Sequence, residues 1–241
     1  MNKFTLSVVA IMAMSTLASA GGDIAPVEPV AEVIAPVVDR GFYVGIAYSA
    51  VNSSSDYTGS GIVNINDSWE GTYEEDYDAI MLQAGYKINK YFAVEGRYWE
   101  SGGDAEWSNE GNGNYTGSGF NTWKASGTIS DAEFTAWGLY IKPMYPVTEA
   151  VDVYALLGYG NNTLSYDGVD DLDENGFQWG LGASYDFTDN VSLFADYVHM
   201  HAEETSSTTS TTGGRNGNAW AGYIDSDDTI YTLNFGVTYK F

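Results

Sequence analysis

The sequence has no cysteine among its 241 residues. Disulfides are therefore excluded, although the export signal described below points to a compartment where they form, and stability is left to the fold itself. Basic residues are scarce: nine Lys and Arg stand against 33 Asp and Glu, a formal charge of -24. That balance disfavours nucleic acid as a partner and makes cations the natural counterparts. Beyond the first twenty residues no run is long and apolar enough for a membrane-spanning helix. A mature chain that resides in a membrane must then be a closed barrel.

What is present begins with an export signal. Met1-Asn2-Lys3 supplies one positive charge, Phe4 to Met14 is almost unbroken apolar sequence, and Ala18-Ser19-Ala20 ends it with the small-x-small pattern of a cleavage site. The spacing predicts a signal peptide over residues 1–20 and a mature chain from Gly21. Residues 21–40 follow as a Pro-rich leader with Pro26, Pro29 and Pro36 and no strand alternation. They are expected to run extended in the periplasm, with a partner-binding or lumen-plugging segment as the alternative. Hydrophobic residues make up 44% and aromatics 15%, with 19 Tyr and 7 Trp. A disordered acidic chain carries far fewer, so the charge has to be segregated.

From Gly41 onward the hydrophobic period becomes two. Tyr231, Leu233, Phe235, Val237, Tyr239 and Phe241 alternate with polar or small residues, and Phe177, Trp179, Leu181, Ala183, Tyr185 and Phe187 do the same. Similar patterns at 42–51, 79–88, 91–99, 134–144, 151–160 and 191–200 bring the total to eight. Their outward faces carry Phe42/Val44/Ile46/Tyr48, Ile80/Leu82/Ala84/Tyr86, Phe92/Val94/Tyr98, Trp137/Leu139/Ile141, Val153/Ala155/Leu157/Tyr159 and Val191/Leu193/Ala195/Tyr197. Short connections at Asn89-Lys90, Val147 to Ala150 and Thr188 to Asn190 alternate with long ones at 52–78, 101–133, 161–175 and 201–228. The acids fall mostly into the long ones. The pattern predicts an all-β, eight-stranded antiparallel up-and-down transmembrane barrel over 41–241, with short periplasmic turns and long external loops. Glu110 to Gly119 and Ser206 to Gly214, both of low complexity, are expected to be mobile loop tips.

The export signal, the strand-turn rhythm over 41–241, the segment NVSLFADYVHM and the closing YTLNFGVTYKF resemble the small OmpA-like and opacity-protein-like outer-membrane barrels. The resemblance implies a location in the bacterial outer membrane of a Gram-negative cell, with loops at the cell surface. It also implies that Val237, Tyr239 and Phe241 form the signal read by the barrel assembly machinery. Lipid and lipopolysaccharide are the expected partners, with divalent cations at the acidic external loops and no nucleic acid. Many members carry a peptidoglycan-binding domain after the barrel; none is expected in these 241 residues.

The alternation aims Lys87, Glu95, Arg97, Lys142, Asp152, Asp186, Asp196 and Lys240 into the lumen. An eight-stranded barrel is only just filled by its side chains. These charges are expected either to pair in a closed plug or to line a narrow ion path in which Glu95 and Arg97 set selectivity. Asp171, Asp173 and Asn175 match the first half of a calcium loop, but Gly182 stands where the bidentate Glu belongs. His199 and His201 share a strand side, with Glu203 as a conceivable third metal ligand. Ser184 or Ser192 with His199 and Asp196 forms no relay, because Asp196 and His199 fall on opposite faces. No enzyme activity and no cofactor are expected. The expected role is structural or surface-interacting, with a small porin-like channel for ions or small solutes as the alternative.

Overall fold

The computed structural model describes residues 40–61, 67–115, 119–168, 171–200, 205–212 and 219–241. The export signal and residues 21–39 of the leader lie outside the described residues. The described chain forms β1 (Gly41–Gly61), β2 (Ser68–Asn89), β3 (Phe92–Tyr115), β4 (Gly119–Ser130), β5 (Ala132–Pro146), β6 (Val151–Tyr166), β7 (Leu172–Asp186), β8 (Val191–Met200), β9 (Thr205–Thr212) and β10 (Ala219–Lys240). Eight of these, β1, β2, β3, β5, β6, β7, β8 and β10, pair in that order, and β10 returns to β1. The β1–β10 seam runs from Tyr43 opposite Lys240 to Gly61 opposite Gly222. A sheet closed in this way has no free edge in lipid. Among the described residues, β4 pairs only with upper β3 and β9 only with upper β10.

The wall is inside-out relative to a soluble barrel. Phe42, Ile46, Leu82, Leu139, Leu181, Phe235 and Phe241 are exposed on the outer surface, while Gln83, Glu95, Arg97, Gln178, Asp196 and Asn234 are buried inside. Moving each large apolar side chain out of water is worth about 1.5–3 kcal/mol, and an outer surface of this extent requires lipid around it. On the fourth and fifth predicted strands apolar residues fall on both sides. There Phe134, Tyr140, Tyr154 and Leu156 point inward and are buried.

The three short turns follow from local chemistry. Thr148 Oγ1 accepts hydrogen bonds from the amides of Ala150 (3.2 Å) and Val151 (3.0 Å), and Thr188 Oγ1 does the same for Asn190 (3.3 Å) and Val191 (3.0 Å). Asn89 Oδ1 accepts from the amide of Tyr91 at 2.7 Å. Such side-chain mimicry of a backbone turn is what Thr and Asn offer at these positions.

The opposite end corrects the expectation of long loops. Most of 52–78, 101–133 and 201–228 is strand: β1 reaches Gly61, β2 starts at Ser68, β3 reaches Tyr115, and β4 and β9 fill much of the rest. The two low-complexity patches are likewise strand in large part, because 110–115 belongs to β3 and 206–212 to β9. Ser, Thr, Gly and single aromatics form strands here without apolar alternation because both faces lie above the lipid. What results is an open six-stranded sheet in the order β9, upper β10, upper β1, upper β2, upper β3, β4. It rises from one part of the ring. Asp131, with φ of 59°, makes the step from β4 to β5 where the sheet leaves the barrel wall.

Candidate functional site: the lumen and the sheet above it

Glu95 and Arg97 are two apart on the inward face of β3, Lys142 is opposite Ala93 on β5, and Asp196 reaches across from β8. Arg97 Nε donates to Glu95 Oε1 at 2.6 Å, and its Nη1 and Nη2 grip Asp196 in a two-pronged contact at 2.9 and 2.7 Å. Lys142 Nζ donates to Glu95 Oε2 at 2.9 Å and lies 3.9 Å from the centre of the Tyr154 ring. Tyr43 donates to Glu95 at 2.6 Å, and Tyr154 and Asn234 donate to Asp196 at 2.7 and 2.8 Å. Two cations and two anions thus cancel, and every carboxylate oxygen is used. Satisfaction this complete is what makes buried charge tolerable.

The remaining lumen is packed. Trp99 Nε1 donates to Asn234 Oδ1 at 2.9 Å. Trp99, Met81, Phe134, Leu156, Val198 and Met200 are all fully buried and join into one apolar core. Nearer the short turns lie the other four predicted lumen charges, as pairs: Lys240 with Asp186 at 2.7 Å and Lys87 with Asp152 at 3.9 Å. Ser192 Oγ donates to Asp186 at 2.6 Å.

Among the described residues, the metal and catalytic candidates are not brought together. Leu172 to Asn175 is the start of β7, with Asp173 opposite Thr163 and Asn175 opposite Asn161. Extended backbone cannot wrap a cation, and Asp173 accepts from Asn161 instead. The half-match to a calcium loop is thereby corrected. His199 projects to the outer face, stacked on Trp179 with ring centres 5.5 Å apart and planes at 14°. Asp196 points inward from the same strand. His201 and Glu203 lie outside the described residues.

Glu75 lies in the connection 52–78, where the acids are expected to be external. It is buried instead, on the inward face of β2 above the apolar core, and accepts from Tyr73 (2.7 Å), Tyr77 (2.5 Å) and Tyr166 (2.5 Å). Burial first, then the bond to Glu75, pushes these three phenols well above the ordinary tyrosine range, so they stay protonated donors. The inward parity of Glu75 with Tyr77, Ala79 and Met81 was the available signal.

The sheet above the barrel has two unlike faces. Asp56, Glu70, Glu74, Asp76, Asp104, Glu106 and Glu110 lie on its outer face, where Lys124 Nζ donates to Glu110 at 2.7 Å. The inner face is built from aromatic–glycine pairs directly opposite one another: Tyr57 with Gly71, Trp69 with Gly59, Trp107 with Gly127, and Trp123 with Gly111. A Cβ at Gly59, Gly71 or Gly111 would overlap the facing ring. The glycines are what allow the rings to lie along the sheet.

The chain matches a family model described as "Outer membrane protein beta-barrel domain" over residues 6–241. No curated protein sequence matches it. Among solved structures, the outer membrane protein OprG from Pseudomonas aeruginosa is 16% identical, with 83% of this chain and 96% of that one covered and a TM-score of 0.51. Neisserial surface protein A is 18% identical, with 83% and 97% covered and a TM-score of 0.41. The outer membrane protease OmpT from Escherichia coli is 10% identical, with 85% and 98% covered and a TM-score of 0.41. With closure, lipid-facing apolar wall and family model in agreement, the chain belongs to the outer membrane protein β-barrel domain family and is a protein of the bacterial outer membrane.

Proposed function

We propose that this barrel is a closed, non-conducting and non-catalytic anchor that holds its six-stranded sheet at the cell surface for structural or interaction purposes. The observation that carries the reading is the filled lumen. The Glu95–Arg97–Lys142–Asp196 cluster and the apolar core around Trp99 and Leu156 occupy successive levels of the same interior. An ion would have to break charge-assisted bonds and then cross apolar packing. Asp196 and His199 on opposite faces support the absence of a catalytic relay. Val237, Tyr239 and Phe241, exposed on the last strand, are the residues we assign to recognition by the barrel assembly machinery. Lipid and lipopolysaccharide would surround the outer wall, and divalent cations would neutralise the acidic outer face of the sheet.

Two measurements on the full chain test this. Vesicles carrying the purified barrel and an entrapped ion-sensitive dye should leak no faster than protein-free vesicles. An epitope inserted after Gly102, where a side chain meets open space, should be bound by antibody on intact cells. Fast dye response sinks the closed lumen, and an epitope reached only after lysis sinks the surface placement.

A further inference from the structure

We propose that the inner face of the six-stranded sheet is a binding platform for a neutral oligosaccharide. Tyr57, Trp69, Tyr73, Trp107 and Trp123 occupy inward positions on β1 to β4, and each remains part-exposed. Four of the five lie across from a glycine, and Tyr73 stacks on Trp107 with ring centres 6.1 Å apart and planes at 26°. The rings are therefore laid along the sheet as a paved surface. Strand spacing of about 4.8 Å makes the platform about 14 Å wide across four strands, room for a short chain of sugars rather than a single ring.

The chemistry selects the ligand. A pyranose presents a face of C–H bonds that packs on aromatic rings by dispersion and weak C–H contacts, and a rim of hydroxyls that needs donors and acceptors. Asn109 supplies one such group at the centre of the platform. Its Oδ1 accepts from Tyr57 Oη at 2.9 Å and from Trp123 Nε1 at 2.8 Å, and among the described residues its Nδ2 donates to nothing. Above the barrel, at residues 53–61, 68–77, 104–115 and 119–130, no inner-face residue of β1 to β4 besides the buried Glu75 is charged, whereas the outer face of the same segments carries the acids. Neutral sugar suits the first face. Single-stranded nucleic acid also stacks on aromatic platforms, but it meets a chain of charge -24. A protein partner gains most where anchors are desolvated in pockets, whereas these rings, packed against facing glycines, offer stacking faces.

The inference rests on the surface placement proposed above, yet its test in micelles succeeds or fails independently of it. The full-length protein, in a detergent without a sugar headgroup, is titrated with neutral hexasaccharides of both β-linked and α-linked glucose and N-acetylglucosamine, following tryptophan fluorescence and heat of binding. At least one should bind saturably. Trp107→Ala and Trp123→Ala should each weaken it tenfold or more, while Glu110→Gln on the outer face leaves it unchanged. Migration of unboiled samples on a gel confirms that each variant is folded. Absence of binding by every neutral sugar, binding confined to sulfated or acidic sugars, affinity unmoved by both tryptophan variants, or a chain dimer that Trp107→Ala dissociates would each overturn the proposal.

Discussion

Arg97→Met asks whether the interior is dry. Arg97 is fully enclosed, as are Glu95 and Asp196 in their contacts with it. The substitution removes three charge-assisted donations and leaves two carboxylates facing a thioether. Breaking a buried ion pair in this way costs about 3–5 kcal/mol. Glu95 keeps Lys142 and Tyr43, and Asp196 keeps Tyr154 and Asn234, so the loss belongs near the lower bound. About 3 kcal/mol is roughly a hundredfold in the unfolding constant. Urea titration of the protein in lipid vesicles, read by tryptophan fluorescence and by gel migration of unboiled samples, measures it. Adding Asp196→Asn should recover at least about 1 kcal/mol, because the stranded anion is gone. A loss below about 1 kcal/mol for Arg97→Met, the range of solvent-exposed pairs, would show that water already reaches Glu95 and Asp196 and would refute the packed interior.

Gly158→Val should destabilise by about 1–3 kcal/mol through overpacking, since its side chain would run into the Leu139 carbonyl and the Tyr140 ring, whereas Gly102→Val meets nothing within 4 Å and should be near neutral in the same titration. Thr148→Ala and Thr188→Ala should each cost about 0.5–1.5 kcal/mol, the net worth of a turn hydrogen bond, and a double variant should show the two as additive because the turns are separate. Phe241→Ala should lower the amount of heat-modifiable barrel recovered from the outer membrane while leaving refolding into vesicles intact; unchanged recovery would remove the residue from the assembly signal.

The barrel was legible because lipid imposes a strict rule on its wall. Leu233, Phe235 and Val237 on one strand face, or Leu181 and Tyr185 on another, have no alternative to alternation once one side is hydrocarbon. Inward charges followed from the same parity, and Glu95, Arg97 and Asp196 do meet in one cluster. The sheet above the membrane was not legible by that rule, because neither of its faces touches lipid. Its register is written in another code. Tyr57-Thr58-Gly59 lies antiparallel to Trp69-Glu70-Gly71 so that each aromatic covers the other strand's glycine, and Trp107 with Gly111 matches Trp123 with Gly127 in the same reciprocal way. Aromatic and glycine at equal spacing in two consecutive segments was the signal that polar composition concealed. Asp171 to Asn175 misled for the opposite reason: spacing alone suggested a loop, while strand pairing with Thr163 and Asn161 decided its shape.

The closed interior is tested most directly by single-channel recording of the full-length protein in a planar lipid bilayer. A lumen blocked by the Arg97 cluster and the Trp99 core predicts a baseline without stable openings at any applied voltage the bilayer tolerates. Reproducible unitary currents whose ion selectivity changes with Glu95→Gln or Arg97→Met would contradict it.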